Sequence, residues 1–290
     1  MQYDEFGLFE ENAREAGLPW TGPPVVRRES VEVAPGQRVS ALVWGEEPPR
    51  LVLLHGGAQN AHTWDTVALA LDRPLVAVDL PGHGHSDWRE DHDYRPARNA
   101  EAVAAAVERL APRAEAVVGM SLGGLTAIRL AARYPSLVRR LVVVDVTPGV
   151  DRDKAAPIAA FVDGPSTFPS LDDLLERTVR YNPGRSVGSL RRGILHNARQ
   201  LPDGTWRWRY DRLRPPGDAY GFGDLWDDLA RVQAPTMLVL GGRSGVVSAE
   251  DAAEFSRLLP EARIETVAGA GHSVQGDRPL ELARLIDDFT

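Results

Sequence analysis

Residues 117–131 read VVGMSLGGLTAIRLA, and this stretch decides the fold. It contains the pattern G-x-S-x-G at Gly119–Gly123, between the apolar run Ala116–Val118 and the helical pattern Leu122–Tyr134. A serine in such a turn is exposed at the carboxyl edge of the sheet, and the flanking glycines allow the strand and the helix to approach closely. The stretch therefore predicts a strand–turn–helix unit with Ser121 as a candidate nucleophile.

Short apolar runs recur on both sides of this stretch, and helical patterns alternate with them. Such runs are typical of strands buried on both faces, which indicates a parallel sheet covered by helices. The runs are at 50–54, 74–79, 116–118, 140–146 and 235–240, and the helical patterns are at about 63–71, 96–111, 122–134, 249–259 and 279–289. A helical packing arm at 4–17 and a hairpin at 25–34 and 38–45 are predicted before them. The predicted fold class is α/β, with a doubly wound, mostly parallel sheet.

The alternation of strand and helix is interrupted once, between the last two apolar runs. Helical pieces at about 171–181 and 187–199 are separated there by prolines and glycines. We therefore predict a core at 1–148 and 226–290, with a mostly helical cap inserted at 149–225. Residues 149–216 hold 12 Arg or Lys against 8 Asp or Glu. This positive excess either favours substrates with a negative group or reflects arginines that lie along helices or pair with acidic side chains.

Composition excludes several classes of protein. The 290 residues carry a formal charge of −8, which disfavours nucleic acid and anionic membrane surfaces as partners, because both need a positive footprint. The absence of cysteine excludes disulfides, thiolate nucleophiles and cysteine-ligated metals. The first residues have neither the basic nor the apolar region of a signal peptide, and no apolar run is long enough to span a bilayer. A cytoplasmic location is expected, and the oligomeric state is not indicated.

A glycine-rich turn supplies the second feature that nucleophilic chemistry needs. His55-Gly56-Gly57-Ala58 directly follows the apolar run at 50–54. Acyl transfer requires two N–H donors directed at the developing oxyanion, and in this type of fold they come from this turn and from the residue after the nucleophile. The backbone N–H groups of Gly57 and Leu122 are the candidates. His55 itself is interpreted as a packing or capping residue.

Together these segments resemble the α/β-hydrolase superfamily, in its usual order and from about residue 25 to the end except for the cap. The matching segments are LVLLHGGAQNAHTW (51–64), VAVDLPGHGHSDW (76–88), VVGMSLGGLTAIRLA (117–131), LVVVDVTP (141–148), APTMLVLGGRS (234–244) and VAGAGHSVQGDRP (267–279). The stretches GGAQNAHTWDT, GHSVQGDRP and SLRRGILHNARQ are similar to a bacterial branch of carboxylesterases with a helical cap.

The resemblance also indicates which of the seven histidines is the base. His272 follows the last predicted strand and precedes the C-terminal helix, where the superfamily places its catalytic histidine. A serine followed by a late histidine is also the chain order of this fold. His83 and His85 lie in a loop that is structural in the superfamily, and His62, His92 and His196 have no supporting motif.

The acid of the triad departs from the usual pattern. The superfamily usually places an aspartate in the loop that is Gly241–Gly245 here, and Ser244 stands at that position. A minority of the superfamily carries the acid one strand earlier, where this chain has Asp145. We therefore predict Asp145 as the acid. Glu250 and Asp251 are the alternatives, although both suit the first turn of a helix, where acidic side chains interact favourably with its dipole.

These residues predict a serine hydrolase that cleaves carboxylic esters of short to medium acyl chains, without a metal or organic cofactor. Thioesterase, lactonase and carbon–carbon bond hydrolase activities remain open, because all of them use the same constellation and the cap selects the substrate. A non-catalytic ligand receptor on the same fold is the alternative from another class. A dinucleotide-binding protein is disfavoured, because no G-x-G-x-x-G opens the first βα unit.

Overall fold

The computed structural model describes residues 3–150, 153–212, 222 and 224–290. Its main feature is an eight-stranded sheet in the order β1-β2-β4-β3-β5-β6-β10-β11. Pairing is antiparallel between β1 and β2 and between β2 and β4, and it is parallel from β4 onwards. The strands of this sheet are β1 (Val26–Ala34), β2 (Gln37–Trp44), β3 (Leu51–Leu54), β4 (Leu75–Val78), β5 (Ala116–Met120), β6 (Leu141–Val144), β10 (Thr236–Gly241) and β11 (Arg263–Val267). The predicted mostly parallel sheet is therefore confirmed.

Helices cover both faces of this sheet, as the alternating pattern predicts. They are α1 (Phe9–Ala16), α2 (Asp65–Leu71), α3 (Pro96–Leu110), α4 (Leu122–Arg133), α5 (Ala156–Val162), α6 (Leu171–Tyr181), α7 (Val187–Asn197), α8 (Asp224–Leu229), α9 (Ala249–Leu258), α10 (Val274–Asp277) and α11 (Pro279–Phe289), with 3-10 turns at Ala61–Trp64 and Pro135–Leu137. Among the described residues, no helix combines the length and the hydropathy that crossing a bilayer would require.

Successive residues of the central strands enter two different apolar layers. In β3, Val52 and Leu54 belong to the layer shared with α3, α4 and α9. Leu51 and Leu53 belong to the layer on the other face, shared with α2 and α11. Because side chains alternate across a strand, a run without any polar residue is needed to fill both layers.

The carboxyl ends of β3 and β5 define the position of the site. β3 lies between β4 and β5, so the chain winds outward from it in both directions. In open α/β sheets the crevice at such a switch of strand order is where ligands bind. The turn that begins at His55 follows β3, and Ser121 follows β5, so the two predicted features meet at this crevice.

The inserted segment carries a small sheet that the sequence does not predict. Its strands are β7 (Thr167–Phe168), β8 (Ala198–Gln200) and β9 (Trp206–Trp208), paired antiparallel in the order β7-β9-β8. The helix expected up to residue 199 ends at Asn197, because the following residues pair with β9. Trp208 is buried against Phe168 and Tyr210, with ring centroids 5.9 and 5.5 Å away. Positions 151, 152, 213–221 and 223 of the predicted cap lie outside the described residues.

The N-terminal helix α1 contacts both the core and the insertion. Phe9 packs against Trp44 of β2, with 4.9 Å between the ring centroids. From α7 of the insertion, the Arg192 guanidinium donates to the Asn12 side chain at 2.7 Å and forms an ion pair with Glu15. Helix α1 therefore lies between two parts of the molecule that are far apart in sequence.

Candidate active site

Ser121 sits in a strained turn between β5 and α4. Its backbone has φ 52° and ψ −121°, a region that costs a non-glycine residue about 1–3 kcal/mol. The turn is held by close backbone packing. A Cβ atom on Gly119 would lie 2.3 Å from the Gly123 carbonyl oxygen, and one on Gly123 would lie 2.3 Å from the Leu54 carbonyl oxygen. Both glycines are therefore required by sterics, as the G-x-S-x-G pattern indicates.

A cavity of about 630 Å³ opens above Ser121. Gly57, Ser121 and His272 contribute to its wall from the core. The insertion contributes a mixed lining of apolar side chains (Ile158, Phe161, Val162, Leu190, Ile194 and Trp208) and polar ones (Thr178, Tyr181, Asn182, Arg185, Ser189, Arg192, His196 and Asn197). This volume lies within the usual range of small-molecule sites, about 300–1,000 Å³. The structure thus brings the predicted nucleophile and the predicted base to one cavity.

Asp145 lies next to His272, although 127 residues separate them. The His272 Nδ1 is 2.8 Å from Asp145 Oδ2, and the carboxylate is almost completely buried at the end of β6. The other oxygen, Oδ1, accepts the Gly241 N–H at 2.7 Å. Asp145 also adopts a positive φ of 52°, so its backbone turns sharply at this point. This geometry leaves His272 Nε2 as the ring nitrogen available for proton transfer.

The two alternative acids belong to helix α9. Ser248 and Asp251 form a reciprocal capping box at its start, and Asp251 also pairs with Lys154 at 2.6 Å. Glu250 is an exposed residue of the same first turn. The described contacts therefore bring Asp145, and neither Glu250 nor Asp251, to the imidazole of His272.

Ser244, at the position where the superfamily usually has its acid, contacts Asp145 directly. The Ser244 hydroxyl donates to Asp145 Oδ2, the same oxygen that faces His272. Its oxygen in turn accepts the Val246 N–H at 3.2 Å. The loop after β10 thus contributes a donor to a carboxylate from β6. The sequence alone does not reveal this contact.

Ser244→Ala should reduce stability more than it reduces chemistry. The loss of a hydrogen bond to a charged group costs about 1.5–3 kcal/mol, so we expect the free energy of unfolding to fall by that amount. His272 keeps its bond to Asp145, so kcat should fall far less than in an Asp145 variant. Urea unfolding with ester kinetics measures both effects, and Ser256→Ala on α9 is the control. An unchanged urea midpoint would show that the serine hydroxyl does not stabilise the carboxylate.

Two buried histidines hold the turn that carries Gly57. His55 contacts the Gly56 carbonyl through Nδ1 at 2.7 Å and accepts the Leu80 N–H at Nε2 at 2.9 Å. His83 contacts the Pro81 carbonyl through Nδ1 and accepts the Ala58 N–H at 3.1 Å. Desolvation by burial lowers the pKa of His55 to about 3 and also lowers the pKa of His83. Both rings are therefore neutral at neutral pH, which is the state in which Nε2 can accept.

The two predicted oxyanion donors belong to different elements, the turn after β3 and the start of α4. A Cβ atom on Gly57 would meet nothing within 4 Å, so the backbone there is open to the cavity. Leu122 is the first residue of α4, and the N–H groups of the first helical turn have no acceptor within their own helix. Gly57 therefore borders the cavity, and Leu122 carries its N–H directly after Ser121.

A pair of glutamines that the sequence does not single out joins the two loops of the site. The Gln59 carbonyl accepts the Gly56 N–H at 3.1 Å and the Gln275 amide at 3.2 Å. The Gln59 amide donates to the Ser273 hydroxyl at 3.3 Å. The turn after β3 and the loop that carries His272 are therefore fixed relative to each other. No motif signals this contact, because it links positions more than 200 residues apart.

Similarity to known proteins agrees with this geometry. Residues 51–285 match the family described as the alpha/beta hydrolase family. The chain is 49% identical over 290 residues to esterase Rv0045c of Mycobacterium tuberculosis, with 98% of this chain and 94% of the relative covered. A solved structure of Rv0045c, from work on the inhibition of that esterase by transition metals, matches this chain with a TM-score of 0.89 and 48% identity. The match covers 99% of each chain. The 2-(acetamidomethylene)succinate hydrolase of Mesorhizobium japonicum is 30% identical over 247 residues, which are 83% of this chain and 87% of the relative. The chain therefore belongs to the alpha/beta hydrolase family.

Proposed function

We propose that this chain is a carboxylesterase that forms an acyl-enzyme on Ser121. The observation that carries the proposal is the 2.8 Å contact between His272 Nδ1 and Asp145 Oδ2 beside the strained serine turn. A receptor has no need of a buried carboxylate that orients an imidazole toward the same cavity as a serine. The esterase name of the 49%-identical relative supports the same activity.

The residues have distinct roles in the proposed reaction. The Ser121 hydroxyl oxygen attacks the acyl carbon while His272 Nε2 takes its proton, and Asp145 stabilises the imidazolium that forms. The N–H groups of Gly57 and Leu122 stabilise the oxyanion. His272 then protonates the leaving alcohol. A water molecule, activated by the same imidazole, attacks the acyl-enzyme and releases the carboxylic acid.

The cavity supports short to medium acyl chains. The apolar side chains that the insertion contributes, such as Phe161, Leu190 and Trp208, can contact a hydrocarbon chain, and the volume suits a small ligand rather than a large lipid. We propose residues 149–225 as the cap that provides these side chains, over a core of residues 1–148 and 226–290. A thioester or lactone would use the same serine and histidine, so the choice among them depends on the substrate assay. The cytoplasmic location stays a prediction from the sequence.

A fluorophosphonate probe tests the proposed nucleophile. We expect one covalent adduct on the wild type by intact-mass measurement and none on Ser121→Ala, because only an activated serine is phosphonylated. Ser244→Ala is the matched control, since it removes a hydroxyl from the same region and should still be labelled. A folded wild type that takes no adduct, or an adduct that persists in Ser121→Ala, would contradict the proposal.

A panel of p-nitrophenyl esters with acyl chains of increasing length then tests the substrate class. We expect kcat/KM to be highest for short to medium chains and to fall for long ones, because the cavity has a limited volume of about 630 Å³. The matching thioesters and lactones belong in the same panel. Higher kcat/KM on one of these classes would replace the ester assignment and keep the nucleophile.

A further inference from the structure

The guanidinium of Arg185 is a cationic group of the active-site cavity that the proposed reaction does not use. Arg185 lies just before α7 of the insertion, and its half-buried side chain contributes to the cavity wall. The guanidinium lies against α10, because a Cβ atom on Gly276 would be 2.8 Å from Arg185 Cζ. Gly276 is the fourth residue after the proposed base His272. Arg185 therefore lies on the side of the cavity that the loop carrying His272 forms.

Most donors of this guanidinium have no acceptor within the part of the chain that the structure describes. An arginine side chain presents five N–H donors in a planar group. Nη2 of Arg185 donates to the Ser189 hydroxyl at 2.7 Å, and this is its single hydrogen bond to a described residue. Nε is buried and has no partner. Because a buried donor without an acceptor is costly, the arrangement calls for an acceptor that a ligand supplies.

The positive charge of Arg185 is also incompletely compensated. No carboxylate of a described residue forms an ion pair with it. Two acids act on it electrostatically, but Asp277 accepts the Gly271 N–H at 2.7 Å and Glu15 pairs with Arg192. Burial lowers the pKa of Arg185, and the attraction of the two acids offsets this effect only in part. An anion in the cavity would therefore find a partly desolvated cation without a carboxylate of its own.

A second guanidinium lies on the same side of the cavity. Arg243 follows β10, is exposed and lines the cavity. A Cβ atom on Gly184, the residue before Arg185, would lie 3.9 Å from Arg243 Nη2. The described residues give Arg243 no acidic partner, whereas the cavity residue Arg192 is paired with Glu15. This side of the cavity therefore carries an excess of positive charge.

We propose that Arg185 binds a carboxylate that the ester substrate carries in addition to its scissile bond. The inference rests on the proposed esterase function and makes Arg185 a specificity-determining residue of the same site. A carboxylate fits this role, because its two oxygens can accept from two N–H groups of one guanidinium. The carboxylate belongs either to the acyl part, as in a half-ester of a dicarboxylic acid, or to the alcohol part, as in an ester of a hydroxy acid.

Hydrolysis of matched charged and neutral esters tests the inference on the full chain. The first pair is monoethyl glutarate and ethyl glutaramate, in which an amide of the same shape replaces the carboxylate of the acyl part. The second pair is γ-acetoxybutyrate and γ-acetoxybutyramide, which differ in the same way in the alcohol part. We expect the wild-type kcat/KM to be about 10–100-fold higher for the charged member of one pair. The pair that shows the preference identifies which part of the ester faces Arg185.

Arg185→Met removes the charge and keeps an unbranched side chain. We expect its kcat/KM for the preferred charged ester to fall by about 10–100-fold, and that for the neutral ester to stay within a few-fold of the wild type. The loss should appear mainly in KM, because Arg185 is proposed to hold a group away from the reacting bond. Arg180→Met is the matched control. Arg180 is an exposed residue of α6 that pairs with Glu176 at 3.1 Å and does not line the cavity, so its loss changes the net charge equally.

Three outcomes would overturn the inference and leave the esterase proposal intact. These are equal wild-type kcat/KM within both pairs, a full preference that survives in Arg185→Met, and a preference that Arg180→Met also loses. A wild type that hydrolyses none of the four esters and takes no fluorophosphonate adduct would instead contradict the proposed function, and the inference with it.

Arg185→Lys keeps the inference testable if Arg185→Met does not fold. Lysine retains the positive charge but lacks the planar pair of donors that a carboxylate accepts from. The preference for the charged ester should therefore fall without disappearing. A preference equal to that of the wild type would show that the guanidinium does not bind the carboxylate.

Discussion

Replacing Ser121 with alanine should lower kcat for a short-chain ester by about 10⁶-fold, as removal of the nucleophile does in other serine hydrolases. The hydroxyl is the atom that forms the acyl-enzyme, and no neighbouring group can take its place in the turn between β5 and α4. The remaining activity should come from the N–H groups of Gly57 and Leu122, which still polarise the carbonyl. Steady-state ester hydrolysis by highly purified protein measures the loss.

The control for this variant is its thermal unfolding. Alanine fits the space of serine and keeps a similar backbone requirement at φ 52°, so the melting temperature should be close to that of the wild type. A folded Ser121→Ala protein that retains more than a tenth of the wild-type kcat would show that hydrolysis does not proceed through this serine.

Replacing Asp145 with asparagine should lower kcat by about 10⁴-fold, the loss that the equivalent change causes in a serine protease. The hydrogen bonds around Asp145 explain why. Oδ1 accepts the Gly241 N–H, so the oxygen of the introduced amide must stay on that side. Its NH₂ group then faces His272 Nδ1, where it can only donate. The imidazole would have to carry its proton on Nε2, which could no longer accept the proton of Ser121.

Asp251→Asn is the matched control for this prediction. It makes the same chemical change in the competing acid, which caps α9 and pairs with Lys154 rather than contacting His272. We expect its kcat to be within a few-fold of the wild type, and a pH–rate profile of each variant distinguishes an effect on the base from a loss of folded protein. The reverse ranking of the two variants would assign the acid to α9.

Strongly patterned segments explain why most of the fold could be predicted. The stretches 51–54, 116–118 and 141–144 contain no polar residue, and all lie in strands buried on both faces. The turn at Ser121 could be predicted because only glycine fits at positions 119 and 123, where a Cβ atom would clash with a backbone carbonyl oxygen. The fold class and the family were confirmed for this reason. The roles of Ser121, His272, Asp145, Gly57 and Leu122 stay predictions that the variants test.

Long-range side-chain contacts could not be predicted. Strands β7 to β9 contain two or three residues each, which is too short for an alternating pattern to appear. His62 and His196 belong to different parts of the chain, and they meet only because α7 of the insertion docks on the turn after β3. The same limit applies to Gln59 and Gln275. Local sequence patterns carry information about neighbours in the chain and little about such pairs.

The position of helix α1 affects how the protein unfolds. Phe9 is inserted against the central sheet, while Asn12 and Glu15 hold Arg192 of the insertion. The core and the insertion cannot separate from each other unless one of them loses its contacts with α1. The core and the insertion should therefore melt in a single cooperative transition rather than as two thermodynamic units. Removing the first twenty or so residues should weaken this coupling and broaden the transition, while direct contacts such as Lys154–Asp251 still join the insertion to the core.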